Sequence, residues 1–171
     1  MRLNVAVPEA HVSAPVLNAA LEAVTRLDES LLKDGSVPTA KEAIQNGVKW
    51  APEPFSSEHF DHAGLVTRRG QGDCDDLAPY HAASLRHTGE DPEAKAIVRR
   101  SGPHRWHAIV QRSDGSIDDP SRWAGMGKRD DSSVRGASLA LMYKRPSSQD
   151  VSGAESPLLM PAMAMRFRGV D

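Results

Sequence analysis

Residues 72–88 read GDCDDLAPYHAASLRHT, and they predict a helix that carries a thiol at its N-terminal end. Asp73 suits the N-cap position, and Asp75 and Asp76 place negative charge in the first turn, where it matches the helix dipole. Apolar residues continue along one face at Leu77, Ala78, Ala82 and Leu85. The helix is predicted to end at Gly89, because glycine is favoured just after the last helical turn.

Two further helices are predicted on the N-terminal side. Between residues 16 and 33, apolar residues recur at spacings of three and four and therefore share one helical face: Leu17, Leu21, Val24, Leu27 and Leu31. A shorter helix is predicted over 39–46, where Asn46-Gly47 would stop it. Residues 50–60 contain two prolines and are expected to form an irregular connection.

The C-terminal side has the pattern of strands. Residues 94–100 and 104–112 predict two strands, the second of them richer in Trp, Ile and Val. The sequence SDGS at 113–116 is a strong turn signal, so we expect a hairpin that returns through 117–119. A last strand is predicted at 138–144.

Three residues in this pattern fit the chemistry of a cysteine nucleophile. A helix N-terminus stabilises a thiolate, and Cys74 lies at such an end. His107 lies in a strand, where a rigid backbone can fix an imidazole as the base. Asp119 follows the next turn, and adjacent antiparallel strands bring facing side chains to about 5 Å. Asp119 would orient the imidazole; Asp118 competes for that role, since neighbouring strand residues face opposite ways.

The acids that flank Cys74 oppose its activation, because nearby negative charge disfavours a thiolate. Asp73, Asp75 and Asp76 are expected to point outward and cap the helix. The cationic form of His107 would have to outweigh their charge.

Four other histidines are assigned no chemistry. His81 and His87 lie on the helix after Cys74, and we expect both to be exposed to solvent. His59 and His62 lack a strong metal-ligand spacing, and a single cysteine cannot build a thiolate zinc site, so no metal is predicted.

The motifs around the three catalytic candidates resemble those of the transglutaminase-like superfamily. GDCDDLA at 72–78 resembles its nucleophile motif, and HAIV at 107–110 resembles its histidine strand. DDPS at 118–121 resembles its third motif, an Asp followed by Pro and a small hydroxyl residue. The order Cys, His, Asp is also that of the family, and the resemblance covers about residues 49–127.

This resemblance implies an α+β fold with a papain-like core, in which the nucleophile helix packs on an antiparallel sheet beside N-terminal helices. It implies Cys74 as nucleophile, His107 as general base and acid, and Asp119 as the orienting group, since the family's acid directly precedes the proline. The N–H of Cys74 would help to hold the oxyanion. Gln71 is a candidate oxyanion donor, and Trp106 a candidate cleft residue.

Composition excludes several other classes. The chain has 171 residues and a formal net charge of −2, which argues against general nucleic-acid binding. Its single cysteine excludes an internal disulfide, and no cofactor is predicted because no phosphate-binding loop is present. Neither a run of about 18 apolar residues nor a signal peptide is found, so we expect synthesis in the cytoplasm.

One domain is predicted over 16–145, between an extended arm at 1–15 and an extended tail at 146–171. The resemblance implies a hydrolase or acyltransferase that attacks a peptide, isopeptide or carboxamide bond of a protein or peptide substrate through a thioester. The alternative is a virion component. Members of the superfamily occur in bacteriophage genomes, and the arm and tail would then dock the fold into a tail or capsid assembly.

Overall fold

The computed structural model describes residues 13–53, 59–102 and 105–127. Within these ranges the helices are α1 (Ala14–Lys33), α2 (Ala40–Gln45), α3 (Ala63–Arg69), α4 (Cys74–Thr88) and α5 (Pro120–Trp123). The strands are β1 (Lys49–Trp50), β2 (Gln71–Gly72), β3 (Lys95–Gly102), β4 (Arg105–Gln111) and β5 (Ile117–Asp118). The class is therefore α+β, as the sequence predicted.

Helix α4 is shared by two apolar clusters and is the central element of the described residues. The first cluster joins it to α1, β3 and β4 through residues that include Leu21, Val24, Ala78, Ala82, Leu85, Ala96, Ala108 and Val110. The second joins it to α2, α3 and α5 through residues that include Ala40, Val66, Leu77, Tyr80, Ala83 and Ala124. Residues 75–85 of α4 are consequently all buried, so this helix has no broad polar face.

Strands β3, β4 and β5 form an antiparallel sheet in that order. Val98 lies opposite Ala108, and Val110 lies opposite Asp118. The N–H of Arg112 donates to the carbonyl of Ser116 at 2.9 Å, which closes the predicted turn between β4 and β5. Gly115 has φ of 84° in this turn, a left-handed conformation that glycine adopts without steric strain.

Helix α3 was not predicted from the sequence. His62 is its N-cap, and its side chain accepts a hydrogen bond from the N–H of Gly64 at 3.2 Å. Gly70 ends the helix with φ of 68°. Histidine is not among the favoured N-cap residues, and seven residues are too few to show a clear apolar period. Helix α5 and the parallel pair β1–β2 are shorter still and gave no recognisable pattern.

Some of the sequence-based predictions lie outside the described residues. These are the strand at 138–144, the tail at 146–171 and nearly all of the arm at 1–15. None of the helices in the three described ranges is long and apolar enough to cross a membrane.

Candidate active site

Cys74 is the first residue of α4, as the sequence predicted. Asp73 precedes it as N-cap with an extended backbone, and the Asp73 carbonyl accepts the N–H of Leu77 at 3.0 Å. The Cys74 side chain is half-buried and packs against the first apolar cluster, which includes Ala78 and Ala108. The fifteen-residue helix therefore presents its partly positive N-terminus at the thiol, an environment that favours the thiolate.

His107 and Asp119 are brought together, as the sequence also predicted. Nε2 of His107 lies 3.0 Å from Oδ2 of Asp119, and the two side chains are 22% and 18% exposed. A carboxylate can only accept, so Nε2 carries the proton and donates it to Asp119. In the neutral imidazole the lone pair is then on Nδ1, which leaves that nitrogen as the one able to take a proton.

Asp118 points to a different histidine. Its Oδ2 accepts from Nε2 of His81 at 2.9 Å and from Nε of Arg112 at 2.7 Å. The prediction that His81 is exposed was wrong, since only 2% of it is accessible, whereas His87 on the same helix is exposed as expected. Asp118 is thus a partner of α4 and not of His107.

The prediction that the acids flanking Cys74 point outward was also wrong. Asp73, Asp75 and Asp76 are 9%, 8% and 2% exposed. Asp76 accepts the N–H of Asp61 on Oδ1 at 2.7 Å and the N–H of Asp73 on Oδ2 at 3.2 Å, so it ties the start of α4 to the segment before α3. Asp61 in turn forms an ion pair with Arg69.

Burial limits the negative charge beside the thiol. Desolvation holds the pKa of Asp73 far above its ordinary value, and a hydrogen bond with the Asp75 side chain raises it further. Such a bond between two carboxyl groups requires a proton on one of them. Desolvation also raises the pKa of Asp76 to about 8. At neutral pH these acids therefore repel a Cys74 thiolate less than three ionised aspartates would.

Gln71 and Trp106, the other two residues that the sequence indicated, lie at the edge of the site. Gln71 is exposed in β2 and pairs with Lys49 of β1. Trp106 is half-buried in β4, and the guanidinium of Arg100 lies 5.2 Å from its ring centroid. Because Trp106 is adjacent to His107 in a strand, the two side chains point to opposite faces of the sheet. Within the described residues, these contacts give neither Gln71 nor Trp106 a role in the site.

Among the residues that the structure describes, no group of three or more His, Cys, Asp or Glu side chains could hold a metal ion. His62 is used as the cap of α3 and Asp61 as the partner of Arg69.

Comparisons of the chain with protein-family models, with curated proteins and with solved structures gave no match. The resemblance to the transglutaminase-like superfamily therefore rests on the three motifs alone.

The sequence missed His81 as a residue of this region. The one available signal was its place in the run Tyr80-His81-Ala82-Ala83, where small and aromatic neighbours indicate a helix buried on more than one side.

Proposed function

We propose that the chain is a cysteine-dependent hydrolase or acyltransferase with a transglutaminase-like, papain-like core. Its substrate would be a peptide, isopeptide or carboxamide bond. The observation that carries the proposal is the 3.0 Å hydrogen bond between His107 and Asp119, because it joins two residues that separate sequence motifs had indicated. The packing of α4 against β3 and β4 supports the papain-like arrangement, in which a nucleophile helix lies on an antiparallel sheet.

The chemistry follows from the tautomer of His107. Nδ1 takes the thiol proton of Cys74, and the thiolate attacks the carbonyl carbon to form a C–S bond while the carbonyl electron pair moves to oxygen. The backbone N–H at the start of α4 would stabilise that oxyanion. The imidazolium then protonates the leaving amine as the C–N bond breaks, and Asp119 stabilises the cation throughout.

The second half of the reaction uses the same residues. His107 takes a proton from water or from an amine as it attacks the thioester carbon. The C–S bond then breaks, and the departing thiolate receives the proton that His107 held. Water yields hydrolysis and an amine yields a new amide bond. Both outcomes need the same three side chains, so the proposal covers hydrolase and acyltransferase together.

The test is the rate at which Cys74 reacts with iodoacetamide. It is the single cysteine of the chain, so intact-mass measurements report on it alone. At pH 7 we expect labelling about tenfold faster than that of the same thiol in the urea-unfolded chain, because more of it is thiolate. His107→Ala should remove the acceleration, whereas His87→Ala, on an exposed part of α4, should keep it. Labelling no faster than in the unfolded chain would instead favour a docking role.

A further inference from the structure

His81 contacts both sides of the segment that carries Asp119. It lies on α4 seven residues after Cys74, which is two helical turns further on and on nearly the same side. Its Nε2 donates to Asp118 at 2.9 Å. Its ring meets that of Trp123 edge to face, with centroids 4.8 Å apart and planes at 80°. One side chain of the nucleophile helix thus touches the residue before Asp119 and the residue four positions after it.

The backbone around Asp119 lies in short elements. Their other contacts include the ion pair of Arg112 with Asp118, the ion pair of Arg122 with Asp119 and the hydrogen bond from the N–H of Trp50 to the carbonyl of Ala124. Strand β5 is two residues long and pairs with β4 only at Asp118 and Ile117. Asp119 lies beyond the strand as N-cap of α5, which is four residues long. Such short elements hold their ends weakly unless side chains fix them.

His81 is in a protonation state in which Nε2 keeps its proton and donates it to Asp118. Desolvation lowers its pKa, although the hydrogen bond to Asp118 opposes this, so the ring is neutral near pH 7. Nδ1 is buried and has no hydrogen-bond partner among the described residues, so a second proton would find no acceptor. Burial acts to raise the pKa of Asp118, but the hydrogen bonds from His81 and Arg112 hold it below its ordinary value. The pair is therefore a neutral donor and an ionised acceptor.

We propose that His81 is a positioning residue, which clamps Asp118 and Trp123 so that the carboxylate of Asp119 stays against His107. Cys74 and His81, the residue that supports Asp119, would then both lie on α4. This inference rests on the proposed function, because positioning Asp119 matters only if Asp119 serves the reaction. The position of Asp119 itself can be measured whether or not the protein is an enzyme.

The first experiment compares two substitutions that distinguish the hydrogen bond donated by His81 from the packing of its ring. His81→Phe keeps an aromatic ring against Trp123 but loses the donor, and His81→Gln keeps an N–H near the position of Nε2. We expect His81→Phe to slow iodoacetamide labelling of Cys74 about fivefold at pH 6, because a looser Asp119 supports the imidazolium less. Near pH 9, where the thiolate forms without that support, its rate should match that of the unchanged chain.

His81→Gln should restore most of the rate at pH 6, and His87→Phe on the same helix should have no effect. A purely structural role would change the urea midpoint of His81→Phe without this dependence on pH. A labelling profile of folded His81→Phe that superimposes on that of the unchanged chain would overturn the clamp.

Asp118→Ala tests the same bond from its more exposed end, in case His81→Phe does not fold. Asp118 is 18% exposed, so its truncation leaves a smaller buried defect. We expect a loss at pH 6 at least as large, because Asp118→Ala also removes the bond from Arg112. The loss in the double variant should be smaller than the sum of the two single losses, since both substitutions remove the bond between His81 and Asp118. Independent, additive losses would contradict the proposal.

A second measurement does not depend on catalysis. The Nε2 proton of His107 should give an exchange-protected NMR signal while Asp119 accepts it. We expect this signal to survive in His81→Gln and to broaden or vanish in His81→Phe. If Cys74 labelling proves independent of His107, the proposed function fails, but this signal still decides whether His81 positions Asp119.

Discussion

At the scale of residues, the site depends on two adjacent aspartates that serve different partners. Asp119 accepts from His107 at 3.0 Å, and Asp118 accepts from His81 and Arg112 at 2.9 and 2.7 Å. The backbone explains the division, because Asp118 is the last residue of β5, whereas Asp119 lies beyond the strand as the N-cap of α5.

The two aspartates are therefore expected to differ when each is removed. Asp119→Ala should remove most of the roughly tenfold acceleration of Cys74 labelling at pH 7, because the imidazole is then no longer held in the required tautomer and orientation. Asp118→Ala should slow it much less, because it acts only through the position of its neighbour. Labelling rates of both variants at pH 7 check this, and the reverse order would reassign the acid to Asp118.

The three catalytic candidates could be found from the sequence because they lie in motifs of fixed order, each with a fitting helix or strand context. The burial of Asp73, Asp75 and Asp76 could not be found, since acids at a helix start are usually solvated caps. His81 was missed for a related reason. Its environment is made by β5 and α5, which are distant in sequence and too short to predict.

At the scale of elements, the sequence predicted the helices and strands that show a hydrophobic period over many residues or end at a strong turn or cap signal. Helix α1, predicted at 16–33, begins at Ala14, and α4 has the predicted bounds. The β4–β5 hairpin followed from its turn. Helix α3 escaped prediction because its caps are supplied partly by tertiary structure: Oδ1 of Asp28 on α1 accepts the N–H of Ala63, the first residue of α3, at 2.7 Å.

Gly72 in β2 fixes how closely α4 approaches α3. A Cβ at this position would lie 3.2 Å from Cβ and Oδ2 of Asp76 and 3.3 Å from Cγ2 of Val66. Asp76 is itself held by two backbone N–H groups, so it cannot move aside without losing them.

Gly72→Ala should consequently destabilise the fold by about 1–3 kcal/mol, the usual cost of overpacking a filled site. Gly102→Ala is the matched control, because its Cβ would meet only the Arg105 side chain at ordinary distances of 3.7 Å or more. Urea unfolding of both variants provides the measurement. A Gly72→Ala midpoint equal to that of Gly102→Ala would show that the contact is not tight in solution.

At the scale of the whole molecule, buried ionisable groups tie stability to pH. Desolvation raises the pKa of Asp28 to about 7 and that of Asp76 to about 8, and it raises that of Asp73 as well. In the unfolded chain these carboxyls are ionised above about pH 4. Between about pH 4 and pH 8 only the native state keeps protons on these carboxyls, so stability falls as pH rises. His81, whose pKa is lowered, favours the native state less as pH falls below about 6.5.

Three carboxyls with raised pKa values outweigh one histidine with a lowered pKa, so stability is predicted to fall from about pH 4 to pH 8. Asp28 offers the cleanest test of this loss. It is fully buried, so a shift of its size corresponds to about 4 kcal/mol of destabilisation once the group is ionised. Asp28→Asn keeps an oxygen for the N–H of Ala63 but cannot ionise. We expect it to match the unchanged chain in urea near pH 4 and to be more stable at pH 8. Asp34→Asn, which alters an exposed carboxylate with a lowered pKa, should show the unchanged slope. Parallel pH profiles for Asp28→Asn and the unchanged chain would mean that Asp28 remains ionised in the fold. The loss of stability above pH 4 would then have to come from the acids around Cys74.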